Sequence, residues 1–308
     1  MVRSPPVDGP CVGGIEAGGS KIICGIGTGP DDLRAEACFP TTTPAETLAR
    51  AVDFFRVHAA RNPCAALGIA SFGPLDLDTS SATAGFITET PKPGWSRVDV
   101  AGAFRRGLDL PIAIDTDVNA AALGERRWGA GTDCDPLVYL TVGTGIGGGA
   151  LVDGRPLHGL VHPEMGHMRI PRDPGDAFAG ACPFHGDCLE GVASGRAIRE
   201  RRGLPGEALA VDDPVWTLVA RALAHGLVNI ISVLSPRRII VGGGVMRHPH
   251  LLACVRDDVR RLLAGYVRAR AVSDAIDDYI VVPRLGERAG VLGALALGHE
   301  LISVGRRG

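Results

Sequence analysis

Charge of either sign is in short supply as an excess: 32 lysines and arginines stand against 34 aspartates and glutamates, a net charge of −2. No basic surplus is there to hold a polyanion, so nucleic acid is not an expected partner, although small anionic ligands stay open. Long apolar runs are missing too. No window approaches 18 uninterrupted apolar residues, and Met1 to Pro10 lacks the apolar core of a signal peptide. A soluble, cytoplasmic chain without a membrane partner is expected. Eight cysteines in 308 residues are too sparse for a disulfide scaffold. Six of them, Cys11, Cys24, Cys38, Cys64, Cys134 and Cys254, sit mostly in apolar surroundings and read as buried thiols of a reducing compartment. Low-complexity segments are absent. So are a GxxxxGK[ST] loop and a GxGxxG turn between strand and helix, which removes the two commonest nucleotide signatures.

What is abundant is glycine, at 43 residues, about twice ordinary usage, concentrated in a few loops. Length suits two lobes of about 150 residues each. Short apolar runs at Val12–Ile15 and Ile22–Ile26 flank Glu16-Ala17-Gly18-Gly19-Ser20-Lys21, which predicts strand, glycine turn, strand. A third strand follows at Leu33–Phe39. Thr43, Pro44 and Glu46 then open a helix through about His58. Ala65–Ser71 is apolar without alternation, the mark of a strand buried on both faces, so the class is α/β. Pro111–Ile114 is a strand and Asp117–Trp128 a helix. Pro136–Val142 and Ile146–Leu151 around Gly143-Thr144-Gly145 repeat the opening pattern, a weak internal duplication. Helices follow at about 189–202 and 214–234, a strand at Arg238–Val241 leads into Gly242-Gly243-Gly244, and a further helix runs to about Gly265. A strand at Tyr279–Val282 comes before the last helix. The first lobe is expected over 1–116, with a C-terminal helix at about 287–303 packing back onto it, and the second over 117–286.

Glycine turns without side chains let successive backbone N–H groups converge on phosphate oxygens, and Ser20 and Lys21 add a hydroxyl and a cation to the first. A second kind of chemistry lies in the loop 163–190. His167, Cys182, His185 and Cys188 fall within 22 residues, a tetrahedral thiolate–imidazole set of the kind that holds structural Zn²⁺, though not with zinc-finger spacing. Glu164 and Glu190 flank it.

These motifs together resemble the ROK family (repressors, open reading frames, kinases). The resemblance rests on Glu16–Lys21, on Asp115-Thr116-Asp117-Val118-Asn119 through Glu125, on Leu140–Gly149, on Pro163–His167 and on the cysteine loop, and it spans Gly13 to Gly298. Ser71–Pro74, Thr90–Trp95 and Leu160–His167 are most similar to its bacterial fructokinases, as is the CxxHxxC arrangement where CxCxxxxC is commoner. The resemblance implies an actin-like (ribonuclease H-like) ATPase fold, two lobes around a nucleotide and sugar cleft, and a homodimer. It implies ATP with Mg²⁺, phosphates on Gly18, Gly19, Ser20, Lys21, Gly143, Thr144 and Gly145, and adenosine at Gly242, Gly243 and Gly244. Asp117 matches the catalytic aspartate that takes the hydroxyl proton; spacing alone would leave Asp115 its rival. Sugar contacts match Asn119, Glu164, His167 and Glu190. Ser20 stands where threonine is usual and Glu16 where many relatives carry aspartate; Thr116 replaces an asparagine of glucokinase-type members, which weakens a glucose assignment. The expected activity is phosphorylation of D-fructose to fructose 6-phosphate, with mannose, glucose or N-acetylmannosamine as rival substrates. Two other classes oppose it. A sugar-responsive repressor would need a helix-turn-helix, for which the twelve residues before Gly13 are too few. A non-catalytic actin-like scaffold fits poorly with Asp117 beside intact phosphate loops.

Overall fold

The computed structural model describes residues 9–305. Residues 1–8, most of the segment expected to lack a signal peptide, lie outside the described residues. In chain order come β1 (Val12–Ala17), β2 (Lys21–Gly29), β3 (Asp32–Pro40), α1 (Pro44–His58), β4 (Leu67–Ser71), α2 (Val100–Gly107), β5 (Ile112–Thr116) and α3 (Asp117–Trp128). Then follow β6 (Leu137–Val142), β7 (Ile146–Val152), the two-residue β8 (Arg155–Pro156), α4 (Leu189–Ala193), α5 (Gly195–Arg202) and α6 (Val215–Leu234). The chain ends with β9 (Arg238–Gly242), α7 (Leu251–Leu263), the single turns α8 (Arg270–Ser273) and α9 (Ile276–Tyr279), β10 (Ile280–Val281) and α10 (Ala289–Gly305).

The chain divides into two compact units. One holds the residues up to Thr132, Arg155–His162 and those from Arg284 onward; the other holds Asp133–Gly154 and Pro163–Pro283. In the first, the strand order is β3-β2-β1-β4-β5, with β1 antiparallel to β2 and parallel to β4. α1 starts as its residues dictate: the Thr43 hydroxyl accepts the Glu46 N–H and Pro44 takes the first turn. Leu48, Val52 and Phe55 form its buried stripe. β4 is buried along its whole length, and the proline-rich loop before α2 is anchored by Trp95, fully buried, whose indole N–H donates to the Thr42 carbonyl.

The boundary expected at 116 is corrected by this division, because α3 stays with the first unit. Two contacts hold it there. The buried Glu125 carboxylate accepts the backbone N–H groups of Ala130, Arg284 and Leu285, tying the end of α3 to the entrance of α10. Along the helices, a Cβ added at Gly293 would lie 2.1 Å from the Ala120 carbonyl oxygen, so α3 and α10 touch backbone to backbone.

In the second unit the strands run β10-β9-β6-β7, with β6 antiparallel to β7 and parallel to β9. That repeats the β1, β2, β4 arrangement, a duplication characteristic of the actin-like, ribonuclease H-like fold. The single helix expected over 189–202 breaks at Ser194, whose extended backbone ends α4 and whose hydroxyl caps α5 by accepting the Ala197 N–H. α6 has the length and hydropathy of a membrane span, but it is half buried within its unit against α4 and α7 and carries Arg221 paired with Asp173. Of the six cysteines read as buried thiols only Cys24 is buried; Cys38 and Cys254 are exposed, on the edge strand β3 and on α7. Alternation on an edge strand and the outer face of an amphipathic helix put them there.

Candidate active site and metal centre

The first glycine turn joins β1 to β2. Gly18 N–H donates to the Lys21 carbonyl at 3.0 Å, the Thr41 hydroxyl donates to the Gly18 carbonyl at 2.7 Å, and the Lys92 ammonium donates to the Gly19 carbonyl. Gly19, Ser20 and Lys21 are exposed. A hydroxyl and a cation therefore stand on a turn braced from behind, ready for an anionic group. Glu16 lies at the end of β1 with its Oε2 buried and without a hydrogen-bond partner. Burial pushes its carboxyl up to about 7; the charge of Asp117 adds to the rise, while Lys21 and the Val291 N–H oppose it. Two carboxyls thus face the same small region of the first unit.

Asp117 is the first residue of α3 and half-buried. It is not the helix cap. That work is done by Thr116, whose hydroxyl accepts the Asn119 N–H, while the Asp117 carboxylate accepts the neighbouring Val118 N–H at 2.9 Å. Asp115 is oriented otherwise. It is buried, and its oxygens accept from the Thr116 N–H, from the Asn119 side-chain amide at 2.8 Å and from His158 Nε2 at 2.9 Å. The bond to Asp115 raises the His158 pKa, opposed by burial. Asn119, expected among the sugar contacts, is fully buried. Asp115 and Asn119 lie one helical turn apart in sequence, but His158 is 43 residues from Asp115 and only the fold joins it to them.

In the second unit the turn between β6 and β7 is closed by a Gly143 N–H to Gly145 carbonyl bond of 2.9 Å. Here the acid comes from outside the turn. Glu190, on α4, accepts the Ile146 N–H at 2.8 Å, so this expected sugar residue also buttresses the second glycine turn. The Met165–His167 turn lies against the same place: a Cβ on Gly166 would sit 1.9 Å from the Ile146 carbonyl oxygen. Glu164 is exposed at the start of that turn. Gly243 takes φ 95°, a region open to glycine, and the chain then forms a single helical turn, Gly244–Arg247, before α7 rather than one long helix. A cavity of about 930 Å³ is lined by Gly143, Thr144, Trp216, Gly244, Val245 and His248, so the second and third glycine segments share one chamber of a size that takes a nucleoside. The Trp216 and His248 rings stack on its wall at 4.1 Å.

His167, Cys182, His185 and Cys188 converge. Their ligand atoms all lie within 4.8 Å of one another, and His167 Nδ1 stands 3.6 Å from Cys182 Sγ and 3.5 Å from Cys188 Sγ. Bond lengths of about 2.0 Å to nitrogen and 2.3 Å to sulfur give tetrahedral edges of about 3.3–3.8 Å, so the donor set fits Zn²⁺. Burial pushes the Cys188 thiol up to about 11, and a thiolate there calls for a cation. The left-handed Gly186 (φ 65°) turns the CxxHxxC loop back, with Cys182 and Gly186 exchanging backbone hydrogen bonds.

Duplicated α/β units, each with an anion-ready glycine turn, and an aspartate heading a helix define the class of actin-like sugar kinases. The ROK family profile matches residues 12–300, and the chain belongs to the ROK family. It is 45% identical over 293 residues to a fructokinase of Zymomonas mobilis, covering 92% of this chain and 95% of the relative, and 40% identical to a fructokinase of Lactococcus lactis subsp. cremoris, covering 94% and 98%. Among solved structures, the ROK hexokinase from Thermus thermophilus superposes with a TM-score of 0.78 at 26% identity over 96% of this chain and 99% of that one. A ROK family glucokinase from Streptomyces griseus in complex with glucose and AMPPNP gives 0.72, also at 26%, over 94% and 99%.

Proposed function

We propose that this chain is an ATP-dependent hexose kinase that converts D-fructose to fructose 6-phosphate, with mannose as second substrate. The observation that carries the reading is the 45% identity to a fructokinase across nearly the whole chain. Asp117 is the general base: its carboxylate takes the proton of the attacking hydroxyl. Gly18, Gly19, Ser20 and Lys21 hold phosphates of ATP through backbone N–H groups, a hydroxyl and a charge; Gly143, Thr144 and Gly145 do so from the second unit. The adenosine takes the chamber at Gly242, Gly243 and Gly244. Hydroxyls of the sugar are met by Asn119, Glu164, His167 and Glu190. Mg²⁺, when bound with ATP, draws charge off the phosphoryl oxygens, and the unpartnered Glu16 oxygen suits a place facing it. Zn²⁺ on His167, Cys182, His185 and Cys188 is structural, since four protein ligands leave no open position. It stiffens the loop that carries Glu164 and Glu190.

The family resemblance supports a cytoplasmic homodimer, and the near-neutral charge supports the absence of a nucleic-acid partner. Arg221 within α6 speaks for a core helix rather than a membrane span. A glucose or N-acetylmannosamine kinase is the alternative reading. ADP release measured on fructose, mannose, glucose and N-acetylmannosamine, with the product identified, tests the proposal. Fructose 6-phosphate is the expected product; no turnover on any of the four sugars would overturn it.

A further inference from the structure

The proline-rich loop between β4 and α2 reaches the first glycine turn, and both belong to the first unit. Pro91 and Pro93 flank Lys92, which restricts Thr90 and Lys92 to extended backbone. The Trp95 N–H closes the bend on the Lys92 carbonyl at 3.2 Å, and the Lys92 N–H donates to the Thr90 hydroxyl at 3.4 Å. The buried Trp95 ring meets Phe72 edge-on at 5.3 Å and holds the Thr42 carbonyl through its indole N–H. Lys92 is thus presented by a stiff, anchored loop.

Three donors hold the carbonyls of the turn. The Thr41 hydroxyl donates to Gly18 at 2.7 Å, the Thr41 N–H to Ser20 at 3.0 Å, and the Lys92 ammonium to Gly19 between them. In a planar trans peptide the C=O and the next residue's N–H point in opposite directions. Tying down the Gly18 and Gly19 carbonyls therefore turns the N–H groups of Gly19 and Ser20 to the other side, and no hydrogen bond among the described residues uses either of them. Both residues are exposed, and a Cβ added at Gly19 meets nothing within 4 Å. Packing does not set the Gly19–Ser20 peptide; the bond from Lys92 does.

We infer that Lys92 is a positioning residue for the nucleotide: by holding the Gly19 carbonyl it aims the Ser20 N–H at a phosphate oxygen of ATP. The inference rests on the reading of Gly18–Lys21 as a phosphate turn and deepens it by naming what sets the turn.

The test is titration of wild type, Lys92→Met and Lys92→Arg with the non-hydrolysable ATP analogue AMPPNP, in the presence of Mg²⁺, and with adenosine. Methionine keeps an unbranched apolar stem without a donor, and arginine restores a charged donor. In Lys92→Met the Kd for AMPPNP should rise about tenfold, that for adenosine should stay within about twofold, and Lys92→Arg should recover most of the loss. The KM for ATP should rise with it while the KM for fructose stays within about twofold. The loss should persist at about 0.5 M KCl, since a fixed peptide, unlike a remote charge, is not screened. Should the methionine variant not fold, Lys92→Ala takes its place. Unchanged AMPPNP affinity overturns the inference. So does a loss shared equally by AMPPNP and adenosine, the mark of a merely structural residue, or a loss that disappears in salt. A wild type that binds AMPPNP and phosphorylates no hexose overturns the proposed activity, and the titration still decides the role of Lys92. A wild type that does not bind AMPPNP overturns both.

Discussion

The two glycine turns share a topology and differ in everything attached to them. The turn at Gly18–Lys21 brings its own hydroxyl and cation and stands beside Glu16, whose buried oxygen is unpartnered. The turn at Gly143–Gly145 has no charge of its own, and the N–H that follows it is already taken by Glu190 from the metal loop. A duplicated backbone has thus been put to two uses. One turn stands exposed beside an unpartnered carboxylate oxygen, and the other is set in shape by a neighbouring loop on which His167, Cys182, His185 and Cys188 converge.

Breaking the first side of that contrast should have the largest effect. Asp117→Asn removes the proposed base and should lower kcat by about 10³-fold, with ATP affinity changed by less than about twofold. Single-turnover rates and nucleotide titration check it, and a variant retaining more than about a tenth of kcat contradicts the assignment. On the second side, Cys188→Ser should cost at least about 3 kcal/mol of stability and lower activity with it, because the loop bearing Glu190 loses its anchor. Metal content and denaturant midpoints decide; full activity without stoichiometric metal would count against a structural Zn²⁺.

A pH series sharpens the comparison of the two acids. Burial holds the Glu16 carboxyl at a pKa of about 7, well above the ordinary 4.5, so the folded state holds its proton more tightly than the unfolded chain. The resulting penalty is absent below about pH 4.5, grows as pH rises toward 7 and is complete above it, reaching up to about 3 kcal/mol. Glu16→Gln should therefore be more stable than wild type at pH 8 and equal to it near pH 4, read from denaturant midpoints across that range. An advantage independent of pH would contradict the burial of an ionisable Glu16.

The smallest effects separate the turns themselves. A Cβ on Gly145 would come within 2.5 Å of Glu190 Oε2, whereas one on Gly19 meets nothing within 4 Å. Gly145→Ala should destabilise by about 1–2 kcal/mol and Gly19→Ala by less than about 0.5 kcal/mol, as thermal unfolding would show. Equal effects would mean that the second turn is no more constrained than the first.

Which of these features the sequence discloses follows from their range. Strand–turn–strand patterns, the Thr43–Glu46 cap and the apolar β4 are local, and periodicity reports them directly. The metal set is legible because three of its ligands lie within seven residues and sulfur and imidazole have few other reasons to cluster. Glu125 is different. Its three backbone partners include Arg284 and Leu285, about 160 positions away, and no local pattern marks a helix-end glutamate as the clamp that keeps α3 with α10. The same holds for Asp115 with His158 and for Glu190 with Ile146, pairs 43 and 44 residues apart. Cys38 and Cys254 are exposed against expectation for a related reason: apolar neighbours in sequence do not say which face of an edge strand or helix a residue occupies.

The ratio of kcat/KM for fructose to that for glucose, measured with saturating ATP and Mg²⁺, bears most directly on the proposed activity. A fructokinase built as described should favour fructose by about tenfold or more. Glucose favoured by about tenfold would contradict the substrate assignment while leaving the kinase fold intact.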